Sequence, residues 1–277
     1  MKHFCIILTA LCVAITATAK NNNELIMKAV SSKMEFTSIV AGPLVKVFVE
    51  ERTEGNIIIR APKDIMEQLE IKVEGNELNI GYRKGTDINI DFKKRKSMPT
   101  AEIYIPNNGR LSKFEAAACS TIDVKPAIKA KELEISCVGV ASINLSGVAD
   151  KADITAKGAS NIKLDIECTK LECDIAGAAE ATISGSATKA EFDILGASTL
   201  RASALKTSQV EAEIAGASTA HLTTDIADVE ASGASNININ CSTQLKASAA
   251  GASTIRYSGD CQVNITKSTG ASTIRKK

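Results

Sequence analysis

The side chains with the clearest potential for chemistry are acidic residues that recur about every 19 positions in the second half of the chain. One series is Glu134, Asp153, Glu172, Glu191, Glu211 and Asp228, and a second series, two residues further on, is Asp174, Asp193, Glu213 and Glu230. If the segments that carry them stack in register as strands, each series becomes a column of like charges about 4.8 Å apart on one outward face.

Lysines two residues before the first series can neutralise only part of this face. They are present as Lys151, Lys170 and Lys189 but are missing before Glu211 and Asp228. Two interpretations stay open for the unmatched carboxylates. They form either a solvated acidic face or a cation-binding patch, for which calcium is the expected ion because it accepts several carboxylate oxygens. The candidate metal ligands are Glu211, Glu213, Asp228 and Glu230.

The N-terminus has the features of a secretory signal peptide: the positive Lys2, an apolar stretch over 4–15 and the cleavage motif Ala17-Thr18-Ala19. Cleavage after Ala19 is favoured over a buried first helix, which would need caps and an amphipathic period. It is also favoured over a lipid anchor at Cys12, because Leu11 stands where a small residue is required. The chain is therefore predicted to be exported to the bacterial periplasm or cell exterior. No later apolar run is long enough to cross a membrane.

Other reactive side chains are too few to predict catalysis. Cleavage would remove His3 and leave His221 as the only imidazole, which gives little support for catalytic triads, histidine-ligated zinc or histidine acid–base chemistry. The formal charge of +1 gives no electrostatic reason to bind nucleic acid. We therefore expect no enzyme, no cofactor apart from the calcium considered above, and no nucleic-acid partner.

The cysteines do not have the spacing of a metal site. Six lie beyond the signal peptide: Cys119, Cys137, Cys168, Cys173, Cys241 and Cys261. Cys168 and Cys173 are five residues apart with no second close pair. A disulfide between Cys241 and Cys261 is geometrically possible because they fall in adjacent repeats. Cys137 and Cys173 have inward parity and are expected to fill core space.

The second half of the chain is a repeat array built on the element Gly-Ala-Ser-Thr-Ile and its variants. The intervals between its anchor positions are 21, 19, 19, 19, 20, 17, 18 and 19 residues. These anchors are Ala118, Gly139, Gly158, Gly177, Gly196, Gly216, Gly233, Gly251 and Gly270. Around each anchor, apolar and polar residues alternate over about 13 positions, which predicts β-strand with one buried face.

Units of this length cannot bury their apolar faces alone, so they must stack. The predicted fold is all-β: a right-handed parallel β-solenoid of about 19-residue rungs with a β-rich N-terminal cap region. The glycine is expected at a bend between strands or at a close approach of backbones. Inward serines should hydrogen-bond along their own column or to backbone, since a buried unpaired hydroxyl costs about 1–3 kcal/mol. They are Ser120, Ser160, Ser198, Ser218, Ser235, Ser253 and Ser272.

The predicted domain organisation has four parts: a signal peptide (1–19), a linker (20–35), an N-terminal β region that caps the solenoid (36–115), and the repeat solenoid (116–277). Within the cap, strands are predicted around 45–49, 57–59, 69–73, 78–82, 88–92 and 103–105. Gly55-Asn56 and Gly75-Asn76 are typical of hairpin turns. The basic run over 93–96 is interpreted as a solvated loop.

The outward residues that follow each glycine indicate a polar, hydrogen-bonding face. One column is Thr121, Asn161, Thr199, Thr219, Asn236, Thr254 and Thr273, which is similar to an ice-binding ladder. The neighbouring column contains Lys163, Arg201, His221, Arg256 and Arg275, and these long side chains break any flat threonine plane. Weak multivalent contact with a glycan or a protein is therefore the better interpretation.

Two features resemble the bacterial family named putative auto-transporter adhesin, head GIN domain. One is Phe36-x-x-Ile39-x-x-x-Gly42 with the alternating Val45, Val47 and Val49, followed by Glu74-Gly75-Asn76-Glu77-Leu78-Asn79-Ile80. The other is the series of Gly-Ala-Ser-x-Ile units. The resemblance covers about residues 36–277. It implies an exported β-solenoid with an adhesin role, and it assigns no catalytic residue.

The function predicted from the sequence is an exported, non-catalytic, adhesin-like binding module that presents repeated polar faces to a glycan, protein or lipid ligand. Two alternatives remain: a structural envelope rod, and a polysaccharide-acting enzyme on a β-helix. The enzyme would need a cleft carried by long loops, for which the near-constant intervals leave little room.

The last repeat, at 270–274, is followed by Arg275, Lys276 and Lys277. These charges would protect the open edge, or a tail-to-tail homodimer would cover it.

Overall fold

The strands of this protein form a parallel β-solenoid of about nine turns in the computed structural model, which describes residues 25–30, 35–83 and 100–277. The N-terminal elements are β1 (Leu25–Val30), β2 (Ser38–Ala41), β3 (Val45–Glu50), β4 (Ile57–Pro62), α1 (Lys63–Gln68), β5 (Leu69–Glu74), β6 (Glu77–Tyr82) and β7 (Ala101–Pro106). The repeat elements are β8 (Lys113–Ala117), β9 (Thr121–Val124), β10 (Ile128–Gly139), β11 (Ser142–Gly158), β12 (Asn161–Gly177), β13 (Glu180–Gly196), β14 (Thr199–Ile214), β15 (Thr219–Ala231), β16 (Asn236–Ala249), β17 (Thr254–Ser258), β18 (Gln262–Ser268) and β19 (Thr273–Lys276).

The predicted parallel solenoid is confirmed, and its handedness stays a prediction. Three predictions lie outside the described residues: the signal peptide, the strand at 88–92 and the basic loop at 93–96. In the described part of the chain, no helix is long and apolar enough to span a membrane.

The N-terminal end changes from parallel to antiparallel pairing. Strands β2 and β3 stack in parallel on β8 and β9, and on their other side lie β6 and β7. Beyond these, β5 runs antiparallel to β6, β4 antiparallel to β7, and β1 antiparallel to β4. The large side chains of this region, including Phe36, Phe114 and Ile103, are fully buried. These strands cover the core at the N-terminal end of the stack.

Two local predictions for this region have different outcomes. The hairpin at Gly75-Asn76 is confirmed, because Glu74 of β5 faces Glu77 of β6 across a two-residue turn. The hairpin at Gly55-Asn56 is wrong: β3 and β4 flank that turn but pair with other strands, since β4 lies antiparallel to β7 instead. Helix α1 was not predicted from the sequence. It has six residues and buries only Ile65, which is too short a segment to show a helical period.

Each regular turn of the solenoid consists of a single long strand. Midway along it, the alternation of buried and exposed side chains shifts by one residue. In β12, Ile162, Leu164 and Ile166 are buried, and the inward positions then resume at Leu171 and Cys173. The phase changes over 168–170, where the chain turns a corner without leaving the sheet. The register between β11, β12 and β13 is a constant 19 residues, which aligns equivalent side chains of successive turns.

The repeat glycine lies at the second corner, between one long strand and the next. Gly177 has φ of +94° and Gly196 has φ of +87°, a region that L residues with a side chain rarely adopt. A Cβ added to Gly196 would lie 2.5 Å from the carbonyl oxygen of Gly177 in the turn below. The neighbouring Ala197 N–H donates to that same oxygen at 2.7 Å. Both predicted roles of the glycine, a bend and a close approach of backbones, are confirmed together.

The prediction for the inward serines is confirmed for six of the seven, with backbone carbonyls as the main acceptors, whereas the buried Ser160 Oγ has no hydrogen-bond partner among the described residues. Ser218 Oγ lies 3.1 Å from the carbonyl oxygen of Gly196 and accepts a hydrogen bond from the Ser198 N–H at 3.3 Å. Ser235 Oγ donates to the carbonyl of Ile214, and Ser253 Oγ lies within hydrogen-bond distance of two carbonyls. These hydroxyls therefore serve as hydrogen-bond partners of the backbone carbonyls at the corner, and they are not exposed nucleophiles.

Substituting Gly196 by alanine tests the close approach. We expect the free energy of unfolding to fall by about 3 kcal/mol, because the left-handed backbone and the contact with Gly177 both penalise a Cβ. Gly109 is the matched control: its φ is +70°, but a Cβ there would meet nothing within 4 Å. Gly109→Ala should cost only about 1–2 kcal/mol, from the backbone conformation alone. Urea unfolding midpoints measure both, and equal losses would show that the stacked carbonyl does not matter.

Candidate functional site

The outward side of the strand segments that follow each glycine corner forms a flat polar face. It consists of segments 121–124, 142–146, 161–165, 180–184, 199–203, 219–223, 236–240, 254–258 and 273–276. Strand register places the first outward residues Thr121, Ser142, Asn161, Glu180 and Thr199 in one column. We call this surface the polar face. The predicted Thr/Asn column lies on it as expected, interrupted by Ser142 and Glu180.

The N-terminal part of the polar face contains a groove with a volume of about 520 Å³. Two columns of outward side chains line it. The first is Asp123, Asn144, Lys163 and Thr182, and the second is Lys125, Ser146, Asp165 and Ser184. Val124, Leu145 and Leu164, which alternate with the residues of the two columns and are largely buried, also line the groove. We call this site the polar groove.

Hydrogen bonds between successive turns fix the carboxylates of the polar groove. Asn144 Nδ2 donates to Asp123 Oδ1 at 3.0 Å, and Ser184 Oγ donates to Asp165 Oδ1 at 2.8 Å. Lys125 and Lys163 are exposed and form no ion pair within the part of the chain that the structure describes. The groove therefore offers oriented acceptors beside free ammonium donors. Its lining has no aromatic ring, so a sugar would be held by hydrogen bonds and not by stacking.

Irregular features bound the polar groove at both ends. Glu51, from the turn after β3, contributes to its lining on the N-terminal side. On the other side the register shifts between Thr182 and Ser184, which pair with Arg201 and Ala204 of β14. Strand β14 thus has one extra residue, a β-bulge that ends the regular columns. The 20-residue interval between Gly196 and Gly216 is the trace of this bulge in the sequence.

Sequence reasoning found only part of this groove. It placed Lys163 in an outward column of the polar face, but it did not place Ser146, Asp165 or Ser184 on this face. Their signal is their outward parity, two residues beyond the column that was recognised. No sequence pattern places Glu51 beside them, because that contact depends on how the cap packs on the first turns.

The acidic residues lie on a second outward face, and lysines pair with most of the first series. Lys151 Nζ lies 2.9 Å from both Asp153 Oδ1 and Glu172 Oε2, and Lys170 also contacts Glu172. Glu134 pairs with Lys113 at 3.3 Å. In contrast, Asp174, Asp193, Glu213 and Glu230 form no ion pair among the described residues. We call this surface the acidic face.

The four candidate calcium ligands lie side by side on the acidic face. Glu211 pairs in register with Asp228, and Glu213 with Glu230. Lys189 reaches Glu211 at 3.5 Å, and Lys246, from the following turn, reaches Asp228 at 2.7 Å. Lys246 was not recognised from the sequence as a partner of this patch. Within residues 25–30, 35–83 and 100–277, no three His, Cys, Asp or Glu side chains form a group suited to a metal ion. Calcium binding here stays a prediction.

The same face shifts carboxyl pKa values in opposite directions. Hydrogen bonds from Lys151 and Lys170 lower the pKa of Glu172 to about 2. Burial raises the pKa of Asp193, and the negative charges of Asp174 and Glu211 raise it further. Ionised Glu172 therefore stabilises the folded protein, whereas ionised Asp193 destabilises it.

Several cysteines lie in environments that do not activate their thiols. Cys137, Cys173 and Cys241 are buried, which confirms core packing for the first two. Burial raises the pKa of Cys137, Cys168 and Cys241 to about 11, so little reactive thiolate forms at neutral pH. Cys261 lies beside Cys241 in the next turn and contributes to the raised pKa of Cys241. The disulfide between these two stays a prediction.

A family model for "Putative auto-transporter adhesin, head GIN domain" matches residues 35–225. The chain belongs to this family. The match covers strands β2 to β7, the polar groove and most of the regular turns. A search of curated proteins finds no match.

Solved structures of proteins from Parabacteroides species share this fold. An adhesin-named protein from Parabacteroides merdae has a TM-score of 0.71 and 17% identity, over 93% of this chain and 98% of that chain. An adhesin-named protein from Parabacteroides distasonis has a TM-score of 0.69 and 17% identity, over 91% and 97%. A protein from the same species named as lipid binding has a TM-score of 0.67 and 18% identity, over 92% and 98%. At these identities the likeness shows the fold alone.

The opposed pKa shifts predict opposite effects of two neutralising substitutions. Glu172→Gln should lower the free energy of unfolding at pH 7 by less than about 1 kcal/mol, because solvent screens this half-exposed cluster. Its effect should vanish as the pH falls from 4.5, the usual glutamate pKa, through about 2. Asp193→Asn should raise the free energy at pH 7, because it removes a carboxylate that ionises unfavourably, and its effect should vanish below pH 3.8.

Urea unfolding of the two variants at several pH values measures both effects. Added salt should reduce them, since screening weakens exposed charge interactions. A stabilising Glu172→Gln or a destabilising Asp193→Asn at pH 7 would contradict this account of the acidic face.

Proposed function

We propose that this protein is an exported, non-catalytic, adhesin-like module that binds a glycan in the polar groove. The observation that carries the proposal is the pair of outward columns that line the groove, with Asp123 and Asp165 held by Asn144 and Ser184. Fixed acceptors beside free donors match the hydroxyl groups of a sugar chain. Membership in an adhesin-named family supports a binding role on the bacterial surface or in the envelope.

A lipid ligand is the second candidate, favoured by a different surface. Apolar side chains next to the glycine corner are exposed at Val138 (44%), Val140 (65%) and Leu195 (53%). Val138 and Leu195 share one column at this edge of the rod, with Lys157 and Ala176 between them. A lipid with an acyl chain would cover the apolar side chains, and its headgroup would contact the lysine. One structural relative is named as a lipid-binding protein, which supports testing this class. A structural rod without a ligand and a polysaccharide-acting enzyme are the remaining alternatives.

A glycan array probed with the protein lacking residues 1–19 tests the glycan proposal, with phosphatidylethanolamine vesicles as the lipid arm. We expect glycan binding that Asn144→Ala and Asp165→Ala each weaken about tenfold, because each substitution removes a hydrogen bond or leaves its partner unpaired. Asn264→Ala, at an exposed position of β18, is the matched control and should leave binding unchanged. Binding to vesicles alone would favour the lipid candidate, and a blank array with blank vesicles would favour the structural rod.

We also propose that the open edge of β18 pairs with a second copy. In the described part of the chain, β18 pairs only with β16, and Ile265 on it is 52% exposed. An unpaired strand edge with an exposed apolar side chain is a template for another strand. Two such edges would meet around a two-fold axis.

Light scattering tests this dimer. The protein should show twice the monomer mass at micromolar concentration, and Ile265→Lys should halve it, because a charge on the strand discourages edge pairing. Val148→Lys, at an apolar position that is 46% exposed away from this edge, is the control and should leave the mass unchanged. A monomer mass for the unmodified chain would overturn the dimer.

A further inference from the structure

The C-terminal half of the polar face carries a second, chemically different surface. Strand register arranges nine outward side chains there as three columns of three. The outer columns are Thr219, Asn236 and Thr254, and Thr223, Asn240 and Ser258; the central column is His221, Asn238 and Arg256. The next turn extends the central column to Arg275, which pairs with Arg256 in register. We call these nine residues and Arg275 the basic plate.

No member of the basic plate is acidic, and the nearest carboxylates already have partners. At one end, Glu180 pairs with Arg201. At the other, Asp260 lies 3.7 Å from Lys276 Nζ. Beside the outer column that contains Thr223 and Asn240, Asp225 accepts a hydrogen bond from Ser242 Oγ at 2.7 Å. The plate therefore differs from the polar groove, whose columns include two aspartates.

The two arginines of the plate have no countercharge of their own. Among the described residues, neither Arg256 nor Arg275 forms an ion pair. They lie in adjacent turns at a separation of about 4.8 Å along the column, where like charges repel. An anion between them would relieve this repulsion, and a guanidinium binds a carboxylate through two parallel hydrogen bonds.

The side chains around the arginines suit a ligand that also carries hydroxyl groups. Eight of the nine plate residues in β15, β16 and β17 are half-buried, so neighbouring turns restrict their movement before any ligand binds. The flanking threonines and serine can donate or accept hydrogen bonds, and the asparagine amides can do both. Two adjacent arginines in the central column, between rows of hydroxyls and amides, match a chain that carries carboxylates with hydroxyls beside them.

We propose that the basic plate binds an anionic glycan whose sugars carry carboxylates. This site is separate from the polar groove, so the proposal does not rest on glycan binding there. An acidic peptide is the less favoured ligand, because a peptide binds a sheet mainly through a strand edge and the plate is a face. Specificity for the carboxylate comes from Arg256 and Arg275, and the outer columns add contacts to the sugar hydroxyls.

Calorimetry at low ionic strength tests the proposal with polygalacturonate oligomers as the probe. Fully methyl-esterified oligomers of the same length are the neutral control ligand. We expect polygalacturonate to bind at least about tenfold more tightly than the ester, since charge-assisted hydrogen bonds are the stronger class. Binding should weaken as sodium chloride is added, because salt screens exposed charges.

Substitutions locate the site. Arg256→Gln should weaken polygalacturonate binding about tenfold, and the double variant Arg256→Gln with Arg275→Gln should weaken it further. Arg256→Lys should recover only part of the loss, because lysine cannot form the bidentate contact. Lys206→Gln, at an exposed position outside the plate, is the matched control. Lys163→Gln and Asn144→Ala report on the polar groove and should leave polygalacturonate binding unchanged.

Several outcomes would overturn the proposal. They are absence of polygalacturonate binding at low salt, equal affinity for the ester, and unchanged binding by the double arginine variant with an unchanged thermal unfolding midpoint. Equal affinity for polyglutamate would overturn the assignment to a glycan. Loss of binding in the Lys163→Gln variant alone would move the anionic ligand to the polar groove. A groove that binds no neutral glycan would overturn the proposed function and leave the plate intact.

Discussion

Backbone contact at the glycine corner sets the geometry of the whole rod. A Cβ on Gly216 would lie 2.4 Å from the carbonyl oxygen of Gly196, and one on Gly233 would lie 2.7 Å from that of Gly216. A side chain at these glycines would prevent successive turns from stacking this closely in the left-handed conformation. The first corner of the array is the exception, since Ala118 occupies it with φ of +55°. Each corner therefore fixes the height of the next turn, and the strands on both sides follow in register.

Register turns a repeated sequence into columns of identical chemistry. On the acidic face this places carboxylates above one another. Burial and these neighbouring charges together raise the pKa of Asp193, and lysines from neighbouring turns offset part of the repulsion elsewhere on the face. On the polar face the same rule builds rows of hydroxyls, amides and cations. On regular strands stacked in this way, recognition depends on which side chains share a column. Small changes in a repeat are then enough to produce different surfaces along one rod.

The two candidate sites on the polar face illustrate two ways of producing such differences. The polar groove lies where the regular stack is interrupted, between the turn at Glu51 and the bulge in β14. The basic plate lies on four turns with uninterrupted register along the polar face, and its character comes from side-chain identity alone. The groove mixes charges and suits a neutral polar ligand, whereas the plate lacks carboxylates and suits an anionic one. One rod can thus present two ligand classes on the same face.

The amino-acid sequence by itself determined the period, the strand character and the facing of the repeat residues. Alternation separates the inward Leu171 and Cys173 from the outward Glu172 and Asp174, and it needs no tertiary information because a strand has a period of two. The interval between glycines predicts the register, and Gly75-Asn76 predicts its hairpin, since both signals are local.

Tertiary structure decided what depends on distant partners. Strand β4 follows the turn at Gly55 but pairs with β7 and β1, which are not its neighbours along the chain. A local turn signal could not predict these partners. Helix α1 has six residues and buries only one of them, so its sequence is too short to show a helical period of apolar residues. Glu51 reaches the groove only because the cap packs against the first turns, a contact between segments that are far apart in the chain.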